Sequence, residues 1–265
     1  MTPVALITGA SAGIGTELAR VFARHHHRVV LVARRSERLG VLAAELNAAG
    51  CPEPLVIPAD LAQPGAAARL ADALATEGLE VEYLVNNAGF GLVGPAADLP
   101  LDEQLAMIDV NVTALTDLTL TFAEQLRRRR GGLLNVASVA GFLPGPGSAV
   151  YYASKAYVLS LTEALHAEWR SHGVRVTALC PGPVATEFQA RAGVPGSTPA
   201  WPLGISAAQV ASAGYRGLMR GQRIAVPGVA NLLVTHLPRI LPRSMLLSLV
   251  ARRQRGRRES PARSA

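Results

Sequence analysis

The chain has 265 residues, 49% of them hydrophobic, enough to fill the core of one large α/β domain. Its two cysteines, Cys51 and Cys180, cannot build a disulfide framework and lack metal-ligand spacing, so a stapled scaffold is excluded and a reducing, cytosolic setting is expected. The formal charge of +7 belongs to the tail: residues 239–265 carry eight arginines against Glu259, while the preceding 238 residues balance 18 basic with 18 acidic side chains, which argues against nucleic acid as a partner.

The first ten residues, MTPVALITGA, enter an apolar strand almost at once. No basic segment followed by a long apolar stretch precedes it, so no signal peptide is expected. Short apolar runs at 4–8, 28–33, 54–58, 83–86, 132–137, 175–180 and 223–226 are candidate strands. Helical stretches fall at 13–25, 36–49, 66–76, 101–129, 151–171 and 207–220. This alternation predicts the α/β class, as a single doubly wound Rossmann-type domain with a seven-stranded parallel sheet over residues 1–228. Residues 187–203, rich in Gly and Pro, read as a mobile substrate-covering loop. Residues 229–265 form an apolar, arginine-rich extension whose last residues read as disordered.

Chemistry-bearing residues fall at the ends of these strands. After the first comes Thr8-Gly9-Ala10-Ser11-Ala12-Gly13-Ile14-Gly15. Glycines here allow a tight turn and let backbone N–H groups of the following helix approach a pyrophosphate. After the second come Arg34 and Arg35, where an acid would hydrogen-bond the 2′-hydroxyl of NAD(H). Two guanidiniums suit a 2′-phosphate instead, so NADP(H) is favoured; a solvated arginine pair is the alternative. The triplet His25-His26-His27 at a helix end reads as a solvated cap, and no metal site is expected. Asp60-Leu61, after the third strand, can meet an adenine amino group, and Asn87-Ala88-Gly89, after the fourth, can lie close to a cofactor.

Tyr151 and Lys155 stand four residues apart in a helical stretch, one turn from each other on one face. Of 26 basic residues, Lys155 is the single lysine, which suggests a site needing a compact ammonium. A free phenol has a pKa of about 10; the ammonium and an oxidised nicotinamide would lower it, so that Tyr151 could exchange a proton with a carbonyl or alcohol.

Taken together, TGASAGIG, NNAG, Asn111, Ser138, Y-x-x-x-K and PGPVAT resemble the short-chain dehydrogenase/reductase family over residues 4–226. The resemblance implies that Ser138 bonds the substrate oxygen and that Tyr151 is the general acid/base. It implies that Lys155 holds the nicotinamide ribose and lowers the tyrosine pKa, and that Asn111 fixes a water in a proton relay. Pro181, Gly182, Val184 and Thr186 would shape the nicotinamide pocket, and a homodimer or homotetramer would form through 101–129 and 151–171. The substrate face, from 91–95, 140–150 and 187–203, is mostly apolar and suits a hydrophobic small-molecule ketone, aldehyde or alcohol. A non-catalytic NADP-binding regulator is the alternative. For the extension two readings stand: a flap over the pocket or a partner subunit, and weak peripheral membrane contact through a helix near 244–258.

Overall fold

Runs such as VVLVA, buried at every position, fit only a parallel sheet covered by helices on both faces. The computed structural model describes residues 1–192 and 205–259. Its strands are β1 (Thr2–Thr8), β2 (Val29–Ala33), β3 (Leu55–Pro58), β4 (Leu79–Asn86), β5 (Gly132–Val136), β6 (Arg175–Leu179) and β7 (Ile224–Ala225). They form one seven-stranded sheet in the order β3-β2-β1-β4-β5-β6-β7, every pairing parallel. The order reverses at β1, flanked by β2 and β4, and the crevice above that switch point is where such sheets bind ligands.

The helices are α1 (Gly13–Arg24), α2 (Ser36–Ala48), α3 (Ala66–Thr76), α4 (Leu101–Ile108), α5 (Leu115–Thr121), α6 (Ala123–Arg129), α7 (Ala149–Trp169), α8 (Glu187–Arg191), α9 (Ala207–Met219), α10 (Val229–Ile240) and α11 (Arg243–Glu259). On one face Leu18 and Phe22 of α1 pack with Val210 and Leu218 of α9. On the other, Leu70 and Leu74 of α3 meet Leu118, Phe122 and Leu126, with Leu165 and Trp169 of α7.

Four expectations are corrected. The helix expected over 101–129 is interrupted by a π-helical segment, Asp109–Ala114, and again at Phe122. Thr116 and Thr119 bond back to the carbonyls of Val112 and Leu115, a pattern that bends helices, and Asn111 is drawn inward by bonds described below. β4 begins at Leu79 rather than 83, because Glu80 disguises a buried position: it is neutralised by Arg128 Nε at 2.6 Å and Arg129 Nε at 2.5 Å. Residues 251–259 continue α11 where disorder was expected, since Ala, Arg and Gln are good helix formers; 260–265 lie outside the described residues. Of the expected loop 187–203, residues 187–191 form α8 and 193–203 lie outside the described residues. The histidine triplet also divides. His25 and His26 are exposed at the end of α1, whereas His27 lies among Phe22, Tyr83 and Tyr215, its Nε2 3.1 Å from the Tyr215 hydroxyl.

Candidate active site

The turn leaving β1 is locked by groups with no charge to neutralise. Gly9 has φ +66, a left-handed conformation that favours glycine, and a Cβ on Gly15 would sit 2.2 Å from the Gly9 carbonyl oxygen. Thr8 Oγ1 accepts from the N–H of Asn87 (2.9 Å) and Ala88 (3.0 Å), and Asn87 Nδ2 donates to the carbonyls of Thr8 (2.9 Å) and Gly9 (3.2 Å). The Asn87 amide is therefore a brace between strand ends. α1 begins with neither a side-chain cap nor an acid in its first turn, so its leading N–H groups and positive dipole end suit an anion.

At the end of β2, exposed Arg34 and Arg35 border the same cleft. Arg35 donates to Ser11 Oγ (3.2 Å) and to Glu187 Oε2 (2.8 Å), and Arg38 joins the same carboxylate. These guanidiniums, Arg35 first, hold the Glu187 carboxyl below the usual range. Asp60 caps its own turn, accepting from Ala62 N at 3.1 Å, beside buried Leu61.

The other end of the cleft gathers the reactive side chains. Ser138, buried at the end of β5, accepts from Ala140 N (3.1 Å), donates to the Pro181 carbonyl (3.4 Å) and reaches the Tyr151 phenol. Tyr151 is half-buried on α7, its ring 5.6 Å from that of Phe188. Burial pushes its pKa up to about 12, and the Ser138 hydroxyl offsets only part of that rise. One turn on, buried Lys155 donates to the Val136 carbonyl at 2.8 Å and is lowered to about 8 by the same cause, burial. Without a nicotinamide, burial dominates the tyrosine, and the ammonium is held by a backbone oxygen.

Asn111 sits in the π segment, 1% exposed, with both amide ends committed. Its Oδ1 accepts from Phe90 N (3.0 Å), and its Nδ2 donates to the Phe90 carbonyl (2.9 Å) and Ser154 Oγ (3.0 Å). Below β6, Thr186 packs against Gly13, and a Cβ on Gly182 would lie 2.2 Å from Asn231 Oδ1, so α10 backs this wall.

A cleft of about 1020 Å³ runs from Arg34 to Phe188. Gly9, Ser11, Ala12, Gly13 and Ile14 border it, as do Asp60, Leu61, Asn87, Ala88 and Gly89. So do Ser138, Tyr151 and Lys155, with Pro181, Gly182, Val184 and Thr186 on the far wall. Gly15 and Asn111 are absent from its lining and act from behind. Sequence reasoning missed Arg38 and Ser154; the second was findable, since it lies three residues after Tyr151 on the same helix and bonds the Tyr151 carbonyl at 2.7 Å.

A family described as short chain dehydrogenase matches residues 3–194. A sulfoacetaldehyde reductase of Chromohalobacter salexigens is 39% identical over 191 residues, 71% of this chain and 75% of that protein. A short-chain dehydrogenase from Sphingobium yanoikuyae in complex with NADPH has 31% identity and a TM-score of 0.77, covering 100% of this chain and 98% of its own. A relative from Burkholderia phymatum in complex with NAD has 27% identity and a TM-score of 0.80, covering 94% and 96%.

Proposed function

The chain belongs to the short-chain dehydrogenase family and is an oxidoreductase acting on alcohol or carbonyl substrates, and on that premise we propose that it interconverts a ketone or aldehyde with its alcohol on a mostly apolar small molecule, using NADP(H). The observation that carries the reading is the convergence of Ser138, Tyr151 and Lys155 at one end of a cleft whose other end is a glycine turn beside Arg34 and Arg35. The residues fit the cofactor: close backbone approach at Gly9 and Gly15, an uncapped helix start, and guanidiniums in place of an acid. NADP(H), when bound, supplies or accepts the hydride.

Around that transfer the chain's side chains orient the substrate and move the proton. Ser138 donates a hydrogen bond to the substrate oxygen. Tyr151 gives its phenolic proton to that oxygen in reduction and takes one from it in oxidation. Lys155 would hold the nicotinamide ribose. Asn111, with its amide committed to Phe90 and Ser154, positions α7. The apolar substrate side comes from Leu92, Val93, Ala140 and Phe188.

The test is Tyr151→Phe assayed on apolar ketones with NADPH. Turnover should fall by roughly 10²-fold or more, while NADPH binding followed by fluorescence stays unchanged. Near-normal turnover in the variant sinks the assignment. NADPH binding by the native protein with no turnover on any ketone or alcohol would favour a regulator.

A further inference from the structure

Helix α10 wears its apolar residues on the outside. Val229, Leu232, Leu233 and Ile240 are 76%, 44%, 65% and 76% exposed, and helical spacing sets them on one stripe about 100° wide. His236 lies within the stripe and Arg239 flanks it. The other side of the helix faces inward, with Thr235 buried and Asn231 against Gly182. Across the turn at Leu241–Pro242, Met245 and Leu249 of α11 stand one turn apart and exposed, beside buried Leu246.

The segment that carries this surface has charge of one sign. Between Glu187 and Glu259 the chain has eleven arginines and no Asp or Glu, whereas residues 1–187 hold 14 basic and 18 acidic side chains. An apolar stripe edged by Arg239, on a segment whose charged residues are all arginines, matches a surface with negative headgroups over hydrocarbon. It does not match itself: a two-fold contact between copies would set this arginine-rich face against the same face. A nucleic acid would meet the arginines and leave the leucines in water. Among the described residues no single helix is long and apolar enough to cross a membrane. The bent pair Leu101–Thr121 and Ala123–Arg129, which passes by composition, gives Leu118 and Leu126 to the core, with Phe122 at the break buried beside them.

We infer that the outer face of α10 and α11 docks the protein on an anionic lipid surface, its leucines at the headgroup–acyl boundary and its arginines among the headgroups. Among the described residues neither helix lines the catalytic cleft, so docking leaves the cleft open.

The test is sedimentation of the full-length protein with vesicles of phosphatidylcholine, alone or with about one-third phosphatidylglycerol. Binding should require the anionic lipid and weaken roughly tenfold on raising salt to about 0.5 M. Leu233→Glu/Ile240→Glu, both at exposed positions and folded by circular dichroism, should weaken it by roughly tenfold. Arg239→Glu/Arg243→Glu should do the same through charge alone. Equal partition to both vesicles overturns the inference, as does unchanged binding by both double variants. A drop in oligomer mass in the leucine variant with vesicle binding intact also overturns it, assigning the face to a second copy of the chain.

Discussion

Burial sets the two titrating groups of the site in opposite directions, Tyr151 up to about 12 and Lys155 down to about 8. A phenol held that high is protonated throughout the neutral range, ready as an acid for carbonyl reduction. Alcohol oxidation needs the phenolate, whose fraction grows as pH rises toward the phenol's pKa. Oxidation should therefore quicken with pH, by at most about tenfold per unit between pH 6 and 9, while reduction gains nothing from the rise. Initial rates in both directions across that window check this; an oxidation rate flat in pH would remove Tyr151 as the base. The pair itself was legible in the sequence, because spacing put both groups on one helical face and the chain has no other lysine. The direction of the tyrosine's shift was not. Spacing reports nearness along a helix, but not that the Val136 carbonyl takes the ammonium or that burial desolvates the phenol.

Helix α8 and the residue before it touch both ends of the cleft within three positions. Thr186 packs on the glycine turn, Glu187 pairs with Arg35 and Arg38, and Phe188 lies against the Tyr151 ring. A 2′-phosphate and the Glu187 carboxylate would thus compete for one guanidinium, Arg35. Glu187→Gln should tighten NADPH binding by roughly twofold to fivefold at low salt, less at high salt, and leave NADH binding unchanged. Fluorescence titration with both cofactors decides it: equal effects on the two would show that Glu187 does not contend with the phosphate. Sequence reading found Glu187 and Arg35 separately and could not join them, since 152 positions separate them. Long-range bonds also explain the other losses at this scale. Glu80 hid the start of β4 until Arg128 and Arg129 were placed beside it, and the π segment depends on an asparagine bonded 21 residues away, at Phe90.

Sheet architecture survived these local errors because it rests on repetition: seven apolar runs separated by helical periods leave few topologies once right-handed crossovers are imposed. The role of the last 37 residues is a different matter, since composition alone set them apart as an extension. Among the described residues the clusters on the two sheet faces draw nothing from beyond Ala225, yet Asn231 backs Gly182 in the cleft wall and bonds the Pro227 carbonyl at 2.7 Å. The extension therefore supports the site more than the core. A chain ending at residue 228 should keep its circular dichroism signature of strands and helices and lose only a few degrees of Tm, about 2–4 °C per kcal/mol at this size. Turnover should fall roughly tenfold or more, because the loop carrying Pro181 and Gly182 loses the surface that fixes it and small displacements there are costly. Thermal melts and steady-state kinetics on the shortened chain separate the two effects. A truncated protein that fails to fold would move the domain boundary past α10, and one with native kinetics would show that the Asn231 contact does not shape the site.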